Sequence, residues 1–279
     1  MRLAAFFIVV LMVAVPVWAL TPNPDGHPTG YEILTWHLDD PTGTSWTDSA
    51  WGNTMKGTGA ATSVQGLFYG AATGFADTGI KSPGFDSPKG HEFTIEAWIM
   101  WPTGTNPQAD QQLLFERRNN QWLWYVCVNN LGTQQSGQTD RVLFAAWTTP
   151  TATAVLSEPC NFVNNQWYHI AVTCQHIDTD NNTVKIYVTP VDNPGQPILN
   201  PICRATATGV LDMPASTNAN VGLSVGGGVS SGLAGRNFDG IIDEVRMSSA
   251  CLTSFDSYGL GLYPRVSTIA WGATQQFYY

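Results

Sequence analysis

Phe93-Thr94-Ile95-Glu96-Ala97-Trp98-Ile99-Met100 is the stretch on which the fold turns. Phe93, Ile95, Ala97 and Ile99 occupy one set of alternate positions; Thr94, Glu96, Trp98 and Met100 occupy the other. Successive side chains of an extended chain point to opposite sides of a sheet, so this spacing predicts a strand with one face in a core. Segments of the same kind lie on both sides. Upstream, Glu32 to Leu38 reads as a strand, and short strands are expected around Leu67-Phe68-Tyr69. Downstream come Leu113 to Phe115, Gln121 to Val128, Arg141 to Trp147, Trp167 to Cys174, Thr183 to Thr189, Cys203 to Thr208, Val221 to Val225 and Ile241 to Met247. The polar run Asp178 to Asn182 separates two of them, as a hairpin loop requires. No helical apolar period is sustained over three turns after residue 19. Strands at roughly 10–20 residue intervals with turn residues between them predict an all-β, antiparallel two-sheet sandwich.

The composition agrees. The chain has 279 residues, 43% of them hydrophobic, with 11 Trp, 9 Tyr and 12 Phe to bury or use. All-β sandwiches of about 200–250 residues form single domains. Charged residues make up only 12%, about half the usual share, and 27 Gly and 17 Pro supply turns. The net charge is −9, from 12 basic and 21 acidic residues, and the basic ones are scattered. A phosphate backbone needs clustered cations, so nucleic acid is excluded as a partner.

Residues 1–19 read as a signal peptide: Arg2, an apolar run from Leu3 to Val17, then Val17-Trp18-Ala19 as a cleavage site. The mature chain then carries no second run long enough to span a membrane, and the protein is expected to be secreted or extracytoplasmic. Residues 20–30, with three Pro and two Gly, form an irregular lead-in. Export permits disulfides. The five Cys (Cys127, Cys160, Cys174, Cys203, Cys251) are an odd number, so at least one thiol is left over within the chain. Cys174 with Cys203 or with Cys160 is a possible pair.

The final strand carries a recognisable pattern, Asn237-Phe238-Asp239-Gly240-Ile241-Ile242-Asp243-Glu244-Val245-Arg246-Met247, followed by Ala250-Cys251-Leu252-Thr253. It resembles the closing strand of laminin-G-like domains, F-x-G-x-I-D-E-V-R-I followed by A-L-S or A-L-T, with Cys251 interrupting the last part. Glu92 to Ile99 resembles that family's F-T-I-E-A-W-V strand, and Asn165 to Thr173 its Q-W-H-H-V-A-V-T strand. Thr183 to Val188 resembles the hairpin partner, with Thr189-Pro190 where a D-G turn is usual. Asp48 to Asn53 resembles an early D-S-S-G-N-G-N segment, with Trp51 departing from it. The resemblance spans about residues 31–254 and implies a concanavalin A-like jelly roll, a fold that hosts lectins, glycanases and adhesion modules alike. Residues 255–279, with Trp271, are then an extension packing on or near the sandwich.

Catalytic groups are hard to find in the sequence. Glycanases of this architecture use an E-x-D-x-E type strand motif, which sets two carboxyls about 5–5.5 Å apart. Glu92 and Glu96 share a strand face, but Thr94 stands where the middle acid belongs. No G-x-S-x-G elbow occurs, and the five His show no HExxH spacing. His169 falls in a strand signature and is expected to be structural. Calcium is the cofactor that the resemblance implies, joining an early loop to the closing strand; Asp48 and Asp243 occupy the matching positions, and Asp239 is a weaker candidate. Asp178-Thr179-Asp180-Asn181-Asn182-Thr183 begins like an EF-hand loop but lacks its Gly and closing Glu. Asn181, in Asn-Asn-Thr, is an N-glycosylation acceptor in a host that has the machinery. Sugar rings stack on aromatic faces while amides and carboxylates take their hydroxyls. Trp122, Trp124 and Trp147 are therefore the candidate ligand contacts, with Trp122 and Trp124 on one face of their strand and Tyr125 on the other. The expected function is a secreted, non-catalytic carbohydrate-binding protein; the alternatives are an adhesion protein that contacts another protein, or a glycoside hydrolase.

Overall fold

In the computed structural model the described residues are 32–36, 38, 45–47, 54–57, 62–67, 70–75, 80–83, 92–107, 111–118, 121–129, 139–148, 151–178, 181–191, 198, 200–209, 221–227, 236–253 and 255. The signal peptide, the lead-in and residues 256–279 lie outside them. Among the described residues no helix is long and apolar enough to cross a membrane.

The strands in chain order are β1 (Glu32–Trp36), β2 (Ser45–Thr47), β3 (Thr54–Gly57), β4 (Thr62–Gln65), β5 (Gly70–Thr73), β6 (Ile80–Pro83), β7 (Phe93–Met100) and β8 (Gln111–Arg118). They continue with β9 (Gln121–Val128), β10 (Val142–Thr148), β11 (Thr151–Leu156), β12 (Trp167–Asp178), β13 (Asn181–Val191), β14 (Cys203–Gly209), β15 (Val221–Val225) and β16 (Ile241–Ser248). The first sheet runs β14-β13-β12-β7-β16-β5-β4, with β1 also on β16, and the second runs β11-β10-β9-β8-β15-β6-β3-β2. Every pairing is antiparallel. Pairs of consecutive strands alternate with neighbours far apart in sequence (β12-β7, β7-β16 and β16-β5 in the first sheet, β8-β15 and β15-β6 in the second), as in a jelly roll. Two short strands, β4 and β5, flank the Leu67-Phe68-Tyr69 stretch; Leu67 sits in a bend between them, and Phe68 and Tyr69 lie outside the described residues. Glycines at 66 and 70 favour the reversal there over an extended run.

The core lies between the sheets and obeys the period of two. Ile95, Ala97 and Ile99 of β7 meet Trp124, Val126 and Val128 of β9 and Val142, Phe144 and Ala146 of β10 in one cluster. β16 breaks the alternation. Asp243 pairs with Trp98 while Arg246 pairs with Glu96, so one extra residue is accommodated between them, and Glu244 takes a φ of 48°. This bulge puts Val245 and Met247 into the core beside Ile242. Unbroken alternation from Ile242 would have turned Arg246 inward instead. One glycine is required by shape: Gly226 has φ +73°, and a Cβ on it would lie 2.2 Å from the Phe75 ring.

Candidate functional site

The outer face of the first sheet is occupied. Alternation turns Glu96, Trp98, His169 and Tyr187 away from the inter-sheet core, and Trp98 and Tyr187 join Ala171, Val191, Ile198 and Phe255 in a second apolar cluster. Phe255 reaches this face through a bridge to Ile198 and stacks against His169 (5.0 Å) and Tyr187 (5.3 Å). Thr94 fixes the chain leading to it: its hydroxyl donates to the Ala250 carbonyl at 2.6 Å and accepts from the Leu252 N–H at 2.9 Å.

Beneath this strap lies a charged knot. Arg246 donates from Nε to Glu96 Oε2 at 2.8 Å and from Nη2 to Oε1 at 3.0 Å, and His169 Nε2 lies 3.1 Å from Oε1. The Glu96 and His169 side chains are fully buried. Burial by itself pushes the Glu96 carboxyl up, but the Arg246 charge and the His169 contacts outweigh it and hold the group below its ordinary range. A carboxylate held ionised in this way is a poor proton donor. The contacts of Glu96 tie β7 to β12 and β16.

The outer face of the second sheet is built differently. Tyr125 and Cys127 of β9, with Leu143 and Ala145 of β10, form an apolar cluster separate from the core, with Leu156 packed against it. The ladder sets Leu156, Leu143, Cys127 and Gln112 side by side in one row across β11, β10, β9 and β8. A neighbouring row holds Ala154, Ala145 and Tyr125. Gln112, Cys127, Leu143, Ala145 and Tyr125 are buried, whereas at the β11 edge Leu156 is half-buried and Ala154 exposed. Among the described residues, its polar neighbour in the first row is the Gln112 amide.

Of the residues singled out in the sequence, Trp124 is corrected. It is fully buried between the sheets, in the core cluster, where no sugar reaches it. Trp122 does not follow from it. Arg117 pairs with Trp122 while Glu116 pairs with Trp124, and the register shift between them cuts the alternation that had put both Trp on one face. The side chains of Trp122 and Trp147 lie outside the described residues. Trp147 follows Leu143 and Ala145 at two-residue intervals on β10 and pairs with Ala152.

Asp48 lies outside the described residues. Asp243 is fully buried, and its Oδ2 accepts the Leu67 N–H at 2.8 Å, so it fastens the β4–β5 turn to the closing strand. Asp239 is exposed and accepts the Asn106 N–H at 3.3 Å. Among the described residues no three His, Cys, Asp or Glu gather as a metal site. In the EF-hand-like segment, the Asn182 carbonyl lies 3.0 Å from His176 Nδ1, and Thr179 and Asp180 are outside the described residues. None of the five Cys is in a disulfide. Cys174 faces the core and Cys203 is exposed, so that pairing is excluded. Cys160 is buried beside Ser157, and burial pushes its thiol up.

Gln112 was not visible as special in the sequence. It follows Gln111 at the start of β8, and nothing in a Gln-Gln pair tells which amide faces which side.

Comparison with known proteins bears on this fold. No curated protein matches the chain in sequence. Domain 4 of AbnA, an extracellular arabinanase of Geobacillus stearothermophilus solved with arabinotriose, superposes with a TM-score of 0.52 at 16% identity, covering 80% of this chain and 95% of that one. The binding domain of botulinum neurotoxin serotype D superposes with a TM-score of 0.53 at 10% identity, covering 80% of this chain; this chain spans 49% of that domain. At such identities the likeness is one of fold. The sequence profile of a laminin-G group described as the concanavalin A-like lectin/glucanases superfamily matches residues 73–256. That is more than half of the sequence, and the chain belongs to this superfamily.

Proposed function

We propose that the protein binds carbohydrate without cleaving it, through the outer face of its second sheet, and that it works outside the cytoplasm after loss of residues 1–19. What supports this reading is that β9 and β10, whose outer residues Tyr125, Leu143 and Ala145 form a buried apolar cluster apart from the core, also hold Trp122 and Trp147. An aromatic ring suits the C–H face of a sugar, and hydroxyls need only a few polar partners at its rim. The locked Glu96 speaks against hydrolysis from the other face. A secreted binding domain is also consistent with the export signal.

The test is a glycan array probed with the mature chain, followed by calorimetry on the hits with Trp147→Ala and Tyr125→Ala. Binding that is lost in both variants, while thermal unfolding stays cooperative, supports the reading. Release of reducing sugar from a bound glycan would replace it with hydrolysis. Calcium is a separate part of the proposal, resting on Asp48 and Asp243. Because Asp243 sits on the first sheet, away from the ligand face, a chelator is expected to lower the melting temperature and leave glycan affinity in the cold unchanged.

A further inference from the structure

Two consecutive glutamines at the start of β8 meet opposite fates. Gln111 is saturated: its Oε1 accepts from Trp101 Nε1 at 2.9 Å and from the Asp239 N–H at 3.1 Å, and its Nε2 donates to the Asn106 carbonyl at 2.7 Å. Gln112, turned the other way, is fully buried, and neither its Nε2 nor its Oε1 has a hydrogen-bond partner. A buried carboxamide with both ends unmet is costly, and proteins seldom keep one without a use for it. Directly across the ladder stands Cys127, also buried and in no disulfide. The surroundings of the pair, Tyr125, Leu143 and Ala145, are buried and apolar. The amide is sealed from solvent, so the group that answers it belongs to the chain itself.

We infer that the Cys127 thiol and the Gln112 carboxamide condense to an internal thioester that links β9 to β8. Side chains directly opposite on antiparallel strands have Cβ atoms about 4.5–5.5 Å apart. The Cys127 sulfur stands one bond beyond its Cβ and the Gln112 carbonyl carbon two bonds beyond its own, so the two can meet across that gap with both strands in place. The sulfur attacks Cδ, the C–N bond breaks, and the thiol proton leaves with the nitrogen as ammonia. Nothing is oxidised or reduced, and no co-reactant is needed. The folded ladder holds the two groups side by side, which raises their effective concentration far above that of a free thiol and amide. The product replaces two unmet N–H donors and a strong acceptor with a link that has no donor, which suits an apolar cluster. Ammonia escapes and is diluted, and burial keeps water from the thioester once it has formed. The structure is that of the unlinked chain, and in that form Gln112→Leu removes only an unmet amide.

The experiment is intact-mass spectrometry of the purified mature chain, taken at once and again after days at neutral pH, beside Cys127→Ala and Gln112→Leu. The wild type is expected to become lighter than its sequence by one ammonia, and neither variant is. Hydroxylamine, which opens thioesters, is then expected to free the Cys127 thiol and leave a hydroxamate at Gln112, located by peptide mapping. A wild-type mass that never falls below that of its sequence overturns the inference. So does a loss of ammonia that persists in either variant, since it then comes from another amide. Where a variant fails to fold, the wild-type map decides alone: a hydroxamate at Gln112 upholds the link, and an intact carboxamide there overturns it.

Discussion

The two outer faces of this sandwich start from the same alternation and end in different states. On the first sheet, strands β7, β12 and β16 bring a carboxylate, an imidazole and a guanidinium together, and the strap from Ala250 to Phe255 closes over them. On the second sheet, β8, β9 and β10 bring together aromatic and aliphatic side chains and one amide without partners. The first face is a closed polar knot in which each charge answers another. The second carries an apolar cluster that is buried except where Leu156 joins it. Unmet polar atoms remain on both: His169 Nδ1 on the first face and the Gln112 amide on the second.

Substitutions that attack this contrast differ in expected size. Glu96→Gln should have the largest effect. It leaves Arg246 partly buried without its counter-charge, and breaking a buried pair in this way costs about 3–5 kcal/mol. Urea denaturation would measure it, and a loss below about 1 kcal/mol would mean that the knot does not hold the strap. Titration comes next. The Glu96 carboxyl is held below its unfolded range, so its contribution to stability is complete above the ordinary carboxylate value of about 4.3 and is lost as pH falls through the lower folded value. The melting temperature should therefore drop below about pH 4 more steeply in the wild type than in Glu96→Gln. The smallest effect is expected on the second face. Gln112→Leu removes an amide with no partners, so its stability should lie between unchanged and about 1 kcal/mol above wild type. If Gln112→Leu loses as much stability as Glu96→Gln, the distinction between a knotted face and an apolar one fails.

Much of this architecture was legible in the chain. The 93–100 stretch announced its faces, and Ile95, Ala97 and Ile99 do face the core. The segments from Gln121, Arg141, Trp167, Thr183, Cys203, Val221 and Ile241 are strands close to where their spacing put them. What failed did so where alternation is interrupted. In β9 the register shifts between Trp122 and Trp124, and Trp124 proved to be core. In β16 the spacing of Ile242, Val245 and Met247, three and then two, was the visible mark of the bulge that delivers Arg246 to Glu96.

The sequence by itself determined that short extended segments would stack as two layers around one apolar interior, because side-chain direction in a strand is fixed by backbone geometry and needs no distant partner. Only the tertiary structure decided which outer face would be knotted and which apolar. Glu96, His169, Arg246 and Phe255 come from four separate segments, and so do Leu156, Leu143, Cys127 and Gln112. Whether an amide finds a partner depends on which strands lie side by side, and that order is set by the folding of the whole chain.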